Sequence, residues 1–445
     1  MSMRRLVNAY RASRFYFLFN GSDEKAFGRL VMLASAILSS CIALLTSGVF
    51  YTGFLIGNDI NIVNLGIISF LPFIANCFGV FAPLILERFE KRRVILALAR
   101  IAYFTINILG MTLLPIFVKD PTQKVIGFAI IVFVSHLINA LFTGGYAAWH
   151  LNFIPNKVRA EYFSFQQITA TTISSAMLLA SSFIADALRG TPHQMTIIVA
   201  LRYIAYALAL VEMVILLLPK EYPYPRKVST ISIKNVFVLP FQHPKFLKTM
   251  GLIAAWMFFA SLAASSFTYY LLNQVGVQYT FINSIDASYA LFLIFFSPFW
   301  KRILRKWSWL KTFAVTALFH VPTTLVYAFT TKANFVWIML AVRLTQHFIG
   351  VGINLAWANM PYLNLPKEDQ SNYIVFYSLV SNFSAFISVS LSTWLISITQ
   401  GMKFSIFGVP FINVQMLVLL QALGQLLIGL WVLWKLKSLT PEDEE

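Results

Sequence analysis

Leu30 to Gly57 reads LVMLASAILSSCIALLTSGVFYTGFLIG, a run without a single Asp, Glu, Lys, Arg or His. An α-helix rises about 1.5 Å per residue and a bilayer's hydrocarbon core is about 30 Å thick, so about 20 such residues cross it. The run is too long for the core of a signal peptide and no small-residue cleavage site follows it, so no processing is expected. Working outward, further apolar runs fall near 61–86, 93–118, 126–150, 160–186 and 195–219. A second set falls near 248–273, 279–300, 309–330, 335–361, 373–398 and 410–435. Turn and charge clusters separate them, such as Asn58-Asp59, Glu87 to Arg93, Asp120-Pro121 and Pro155-Asn156. The pattern predicts an all-α integral membrane protein of twelve transmembrane helices.

The composition agrees. Only 11% of the 445 residues are charged and 58% are hydrophobic, whereas a soluble domain carries about 25% charged residues. Lipid, not water, must cover most of the surface. Cys41 and Cys77 both lie inside apolar runs and make neither a disulfide framework nor a zinc site. The net charge of +17 could suggest nucleic acid, but the distribution says otherwise. With the N-terminus placed in the cytoplasm, 26 of the 34 Lys and Arg fall on the inner side and five on the outer, with Arg100, Arg202 and Arg343 inside spans. Positive residues on cytoplasmic loops are what membrane topology requires. Both termini are therefore expected inside, at the plasma membrane.

The chain divides near its middle. Residues 220–247 carry Pro223, Pro225, Pro240, Pro244 and scattered basic residues, and read as a cytoplasmic linker with room for a short surface helix. The expected plan is a basic tail (1–29), a six-helix bundle (30–219), the linker, a second six-helix bundle (248–435) and an acidic tail (436–445). The halves echo each other. Pro83 and Pro298 are 215 residues apart, and His136 and His347, Pro155 and Pro366, and Tyr162 and Tyr373 are each 211 apart. Matches at near-constant offsets in equivalent spans are what a duplicated six-helix unit leaves behind.

The loop after the second span reads Pro83-Leu-Ile-Leu-Glu-Arg-Phe-Glu-Lys-Arg-Arg93. It resembles the signature of the major facilitator superfamily, with Glu87 at the acidic position, Arg88 at the following Arg, and Lys91 and Arg92 at the basic pair. Pro83 and Glu90 replace its glycines. The segment Trp149 to Phe163 is similar to the loop after helix four of bacterial members. The resemblance implies two pseudo-symmetric bundles and a secondary transporter working by alternating access. It also implies a cytoplasmic gate at Glu87, Arg88 and Arg92. Helices 1, 2, 4, 5, 7, 8, 10 and 11 would line a central cavity, and 3, 6, 9 and 12 would lie outside it. Span five has no Gly and no Pro, so it lacks the Gly-Pro pair of the family's drug antiporters.

Ionisable groups inside a membrane are costly, so each is a candidate for function. Span ten carries Arg343, His347, Asn354 and Trp357 at spacings that share one helical face. Span four carries His136, Asn139, Thr143 and Tyr146 in the same manner. The candidate binding residues are Arg343, His347, Asn354, Trp357, His136, Asn139, Tyr269 and Tyr51, the aromatic ones as stacking surfaces. Arg343 calls for an anion, so the substrate is expected to be a small anionic or zwitterionic molecule, unless Asp286 supplies the charge. Asp286 is the candidate for a coupling proton or ion. Glu212 and Arg202, on outer span six, and Arg100, able to snorkel to the inner surface, read as structural, and Asp186 as a residue of the outer surface. No Walker loop, cofactor motif or metal-ligand cluster appears, so no cofactor, metal or enzymatic activity is expected, and the chain is expected to act as a monomer. The competing reading is a transporter-like receptor or assembly protein without transport.

Overall fold

The computed structural model describes residues 3–222, 232–366, 368–402, 404–406 and 408–440. Eleven helical segments are long and apolar enough to span a membrane: Ala26–Ile56, Ile62–Leu86, Arg93–Phe117, Pro121–Leu151, Glu161–Ala187, Gln194–Leu216, Pro244–Val275, Tyr279–Lys306, Phe335–Tyr362, Gln370–Ile398 and Asn413–Trp434. Trp309–Ala328 is the twelfth long helix. Lys311, Thr312, Thr316, His320, Thr323 and Thr324 dilute its apolarity. It lies against spans ten and twelve, and Thr316, Thr323 and Thr324 return their hydroxyls to carbonyls of the same helix, as Thr316 does to Thr312 O (2.7 Å). In chain order these helices are spans one to twelve. A two-stranded antiparallel hairpin, Phe404–Ile406 with Val409–Phe411, joins spans eleven and twelve.

The spans form two bundles, and corresponding parts recur in each. Tyr162, at the start of span five, is buried and donates to Arg29 O (2.9 Å) at the start of span one. Tyr373, at the start of span eleven, is buried against Phe246 at the start of span seven. A break in a long helix also recurs. Span one is interrupted at Ser47-Gly48 and span seven at Leu262-Ala263. Ser47 and Leu262 are 215 residues apart, the offset of Pro83 and Pro298. Gly48 takes φ +57°, a left-handed conformation that costs glycine little.

The N-terminal region is more than a basic tail. Arg14–Phe19 is helical, Leu18 is fully buried, and span one already begins at Ala26. Arg29 turns inward: Nε donates to Leu18 O (2.7 Å), Nη1 to Phe153 O (3.2 Å) and Nη2 to Asp23 (2.5 Å). Burial raises the Asp23 carboxyl, but the Lys25 N–H and the Arg29 guanidinium outweigh it and hold it below its ordinary value. The linker contributes helix Ile233–Gln242, with Val236 fully buried. Span seven begins at Pro244, four residues earlier than its apolar run suggested. The start of the C-terminal tail is docked rather than free: Leu439 is buried and its carbonyl accepts from Asn364 (2.8 Å). Residues 441–445 lie outside the described residues.

The three intramembrane charges read as structural, Arg100, Arg202 and Glu212, each have protein partners. Arg100 does not snorkel outward. Its guanidinium turns into the first bundle, where Nε (3.2 Å) and Nη2 (3.0 Å) donate to Glu212 Oε1. Ser35 and Ser39 of span one donate to the same oxygen, each at 2.7 Å. Glu212 is fully buried, and its Oε2 has no hydrogen-bond partner among the described residues. Arg202 needs no carboxylate. A π-helical turn at Thr105–Gly110 of span three offers Asn107 O (3.2 Å) to Nη2, Thr112 Oγ1 accepts from Nε (2.8 Å), and the ring of Phe54 lies 4.4 Å from the guanidinium carbon.

Candidate functional site

The outer segments of the two broken spans, Gly48–Ile56 and Ala264–Tyr269, pack against each other across the bundle boundary. Interrupted helices near the midplane between repeats are a recurrent way to build a substrate site. Here Gly48 and Val49 of span one and Ala263, Ala264 and Thr268 of span seven line a cavity of about 350 Å³. The rest of its wall comes from the second bundle: Asp286, His320, Thr324, Tyr327, Arg343, Gln346 and Gln421 among others.

The charges in this cavity form a chain. Arg343 Nη2 donates to Asp286 Oδ1 (2.7 Å), Nη1 donates to Gln346 Oε1 (3.1 Å), and the Tyr327 ring lies 5.8 Å from the guanidinium carbon. Neither charge is sequestered, since the side chains are 30% and 43% exposed. His320 Nδ1 is 2.9 Å from Thr324 Oγ1 and 3.3 Å from Gln425 Oε1. Arg343 closes a π-helical turn, Met339–Arg343, within span ten. Such single turns insert a residue, so that the helix before the turn is rotated relative to the helix after it, and they recur at functional sites.

The row of candidates on span ten is spread along the helix axis: the helix is unbroken from Leu344 to Trp357, and at about 1.5 Å per residue Trp357 lies about 21 Å from Arg343. His347 is buried with Nε2 2.9 Å from Ile285 O, between the rings of Tyr289 and Phe292. Asn354 is exposed and donates to Tyr289 Oη (2.5 Å). Trp357 turns away into an aromatic cluster with Trp256 and Phe313. In the first bundle, His136 is half-buried and meets the ring of Tyr103 edge-on. Asn139 is half-buried, and its carbonyl accepts from Thr143 (2.7 Å). Tyr51 is packed at the margin of the outer core. Tyr269 accepts from Asn273 (3.1 Å). Of the candidates, the structure brings Arg343 and Asp286 together in the cavity. The others do not line it.

Spans nine and twelve, placed outside the cavity on the strength of the resemblance, do reach it through His320, Thr324, Tyr327 and Gln421. A signal for span nine was available, because Thr316, His320 and Thr324 recur every four residues and mark one polar face. Gln346, three residues beyond Arg343, also went unmarked.

The bundles are joined at the end away from the termini. Asp186 does not merely face the surface there. Its two carboxylate oxygens accept from the backbone N–H groups of Tyr279 (3.0 Å) and Thr280 (2.6 Å) at the start of span eight. A carboxylate is well suited to the unpaired N–H groups and positive end of a helix N-terminus. Arg189 donates to Val277 O (2.9 Å) and Asn283 to Ser182 Oγ (2.8 Å). Tyr279 also seats its hydroxyl on Gly53 of span one, and Thr393 of span eleven sits on Gly66 of span two, leaving no room for a β-carbon at either glycine. At the other end, Glu87 is half-buried, Arg88 is exposed and Arg92 Nε donates to Phe89 O (3.1 Å) within its own loop. The neighbouring Arg93 is tied to the segment after span six. Its N–H donates to Glu221 Oε1 (2.8 Å) and its Nη1 to Pro219 O (2.7 Å).

No family model matches the sequence, and no curated protein matches it in sequence. Solved structures do match in fold. A nucleoside transporter superposes with a TM-score of 0.70 at 10% identity, over 91% of this chain and 99% of that one. A D-xylose–proton symporter gives 0.67 at 14% identity, over 94% and 98%. The xylose transporter of E. coli in an inward-open conformation gives 0.64 at 14% identity, over 92% and 95%. The chain is a multi-pass membrane protein that shares the fold of these solved structures.

Proposed function

We propose that this protein is a secondary active transporter that carries a small anionic or zwitterionic molecule through a site at the boundary of the bundles. The observation that supports this most directly is the cavity between the breaks of spans one and seven, with the solvent-accessible Arg343–Asp286 pair in its wall. A passive scaffold has no need of an accessible ion pair at membrane depth, where charge is costly. The solved structures of similar fold include a nucleoside transporter and a proton symporter, which accords with transport and with a proton as driving ion. In this reading an anionic group of the substrate takes the guanidinium of Arg343, and Asp286, deprived of its partner, takes a proton. Substrate charge and proton then cross together.

The contacts at the far end form the outer gate, closed here, and the termini face the cytoplasm of a cell whose plasma membrane holds the protein. Glu87, Arg88 and Arg92 are assigned to the opposite gate, engaged when the cavity faces out. A stability screen of anionic and zwitterionic small molecules against the detergent-solubilised protein tests the reading. It expects at least one class to raise the melting temperature in wild type and not in Arg343→Ala. A response confined to neutral ligands, or one unchanged in Arg343→Ala, would argue against it.

Two further measurements bear on the gate and the orientation. Asp186→Ala removes both hydrogen bonds to span eight, each charge-assisted and worth about 1.5–3 kcal/mol at most. Distance probes at the outer ends of spans five and eight should then show a larger open population than wild type, with ligand affinity in the closed state little changed. An unaltered distance distribution would remove Asp186 from the gate. Single cysteines replacing Thr122 and Thr230 should label from opposite sides of intact cells, Thr122 from outside. Position 230 lies outside the described residues, and its labelling from outside would invert the orientation.

A further inference from the structure

Spans seven and twelve leave a second opening, separate from the transport cavity and on the outside of the second bundle. It is a groove of about 590 Å³ lined by Lys248, Gly251, Leu252, Ala255, Leu427, Ile428 and Trp431. Leu252 and Ile428 are buried and form its floor, while Leu427 and Trp431 are exposed and form one wall. Gly251 faces open space in the groove, where a β-carbon would meet nothing within 4 Å. From Lys248 to Ala255 it runs about 10 Å along the helix, at about 1.5 Å per residue.

We propose that this groove binds an anionic phospholipid of the leaflet on the side of the two termini, with an acyl chain on Leu252 and Ile428 and the phosphate at Lys248. Three observations carry it. The lining is hydrocarbon except at one end, which suits a chain and not a polar solute. That end carries Lys248, exposed and with no carboxylate within ion-pair distance among the described residues. The depth is that of the headgroup boundary. Span seven begins at Pro244 and span twelve ends at Trp434, and Trp431 and Trp434 are both exposed there, where tryptophan collects at membrane interfaces. Lys435 stacks its ammonium 3.8 Å from the Trp434 ring, a second cation at that level. Basic residues beside a span attract anionic lipid, and the groove adds a shaped seat for one molecule.

The test is a titration of the full-length, delipidated protein in neutral detergent, followed by native mass spectrometry. The probes are dioleoyl phosphatidylglycerol, dioleoyl phosphatidylcholine and inorganic phosphate. Phosphatidylglycerol should bind the wild type at least tenfold more tightly than phosphatidylcholine, and inorganic phosphate should not displace it. Lys248→Gln should erase the preference between the two lipids. Gly251→Leu should fill the groove and weaken phosphatidylglycerol binding at least tenfold, while melting in lipid-free detergent stays at the wild-type value. Equal binding of both lipids to the wild type, or phosphatidylglycerol binding untouched by either substitution, would overturn the proposal. Displacement of the lipid by inorganic phosphate would also overturn it, by reducing Lys248 to a site for free anions.

Discussion

Replacing Arg343 by alanine is expected to weaken ligand binding by about 10- to 100-fold and to abolish measurable transport, with little loss of folded protein. The two halves of that expectation have different origins. A charge-assisted hydrogen bond contributes about 1.5–3 kcal/mol, and each 1.4 kcal/mol is a factor of ten in affinity. The Arg343–Asp286 pair itself, 30% and 43% exposed, is screened by water in the cavity. Its own contribution to stability is therefore in the range of a surface ion pair, about 0–1 kcal/mol.

The companion variants decide whether the arginine serves the ligand or only its neighbour. If Arg343 exists to neutralise Asp286, then Arg343→Ala combined with Asp286→Ala should recover binding, because no uncompensated charge remains. If the ligand uses the guanidinium, the double variant stays as weak as the single one. The second result is expected. Asp286→Asn should keep binding but lose dependence of uptake on a proton gradient. Wild-type affinity in Arg343→Ala, or recovery in the double variant, would refute the binding role.

The largest effect on stability is expected at Glu212. One of its oxygens collects four donors from Ser35, Ser39 and Arg100, and the residue is fully buried. Ser39 also accepts from Arg100 Nη2, so spans one, three and six are tied at one point. Removing one partner of a buried ion pair costs about 3–5 kcal/mol, because the other charge is left without compensation. Glu212→Leu should therefore lower the melting temperature in detergent by about ten degrees, taking about 2–4 °C per kcal/mol as for larger domains. Arg100→Leu together with Glu212→Leu should regain most of that loss, since a pair of apolar side chains needs no partner. An unchanged melting point in Glu212→Leu would mean that the network contributes no net stability.

The amino-acid sequence by itself determined the medium, the number of long helices and the side on which the basic residues gather. Hydrophobicity and charge are properties of single residues summed over a window, and a bilayer imposes a fixed length on that sum. It also carried the trace of duplication, because equivalent places in two copies of a bundle make equivalent demands. Tyr162 and Tyr373 each close the start of a bundle-opening helix for this reason. Only the tertiary structure decided which charge meets which. Arg100 meets Glu212 across 112 residues and Arg343 meets Asp286 across 57, while Asp186 finds the end of a helix in the other bundle. Those choices depend on the rotation of each helix about its axis and on the breaks at Gly48 and Ala263. A periodicity read along the sequence gives the face of a helix and not the neighbours at each depth. Trp357 follows Arg343 on an unbroken helix, but about 21 Å further along it packs against Trp256 and Phe313 instead of the cavity.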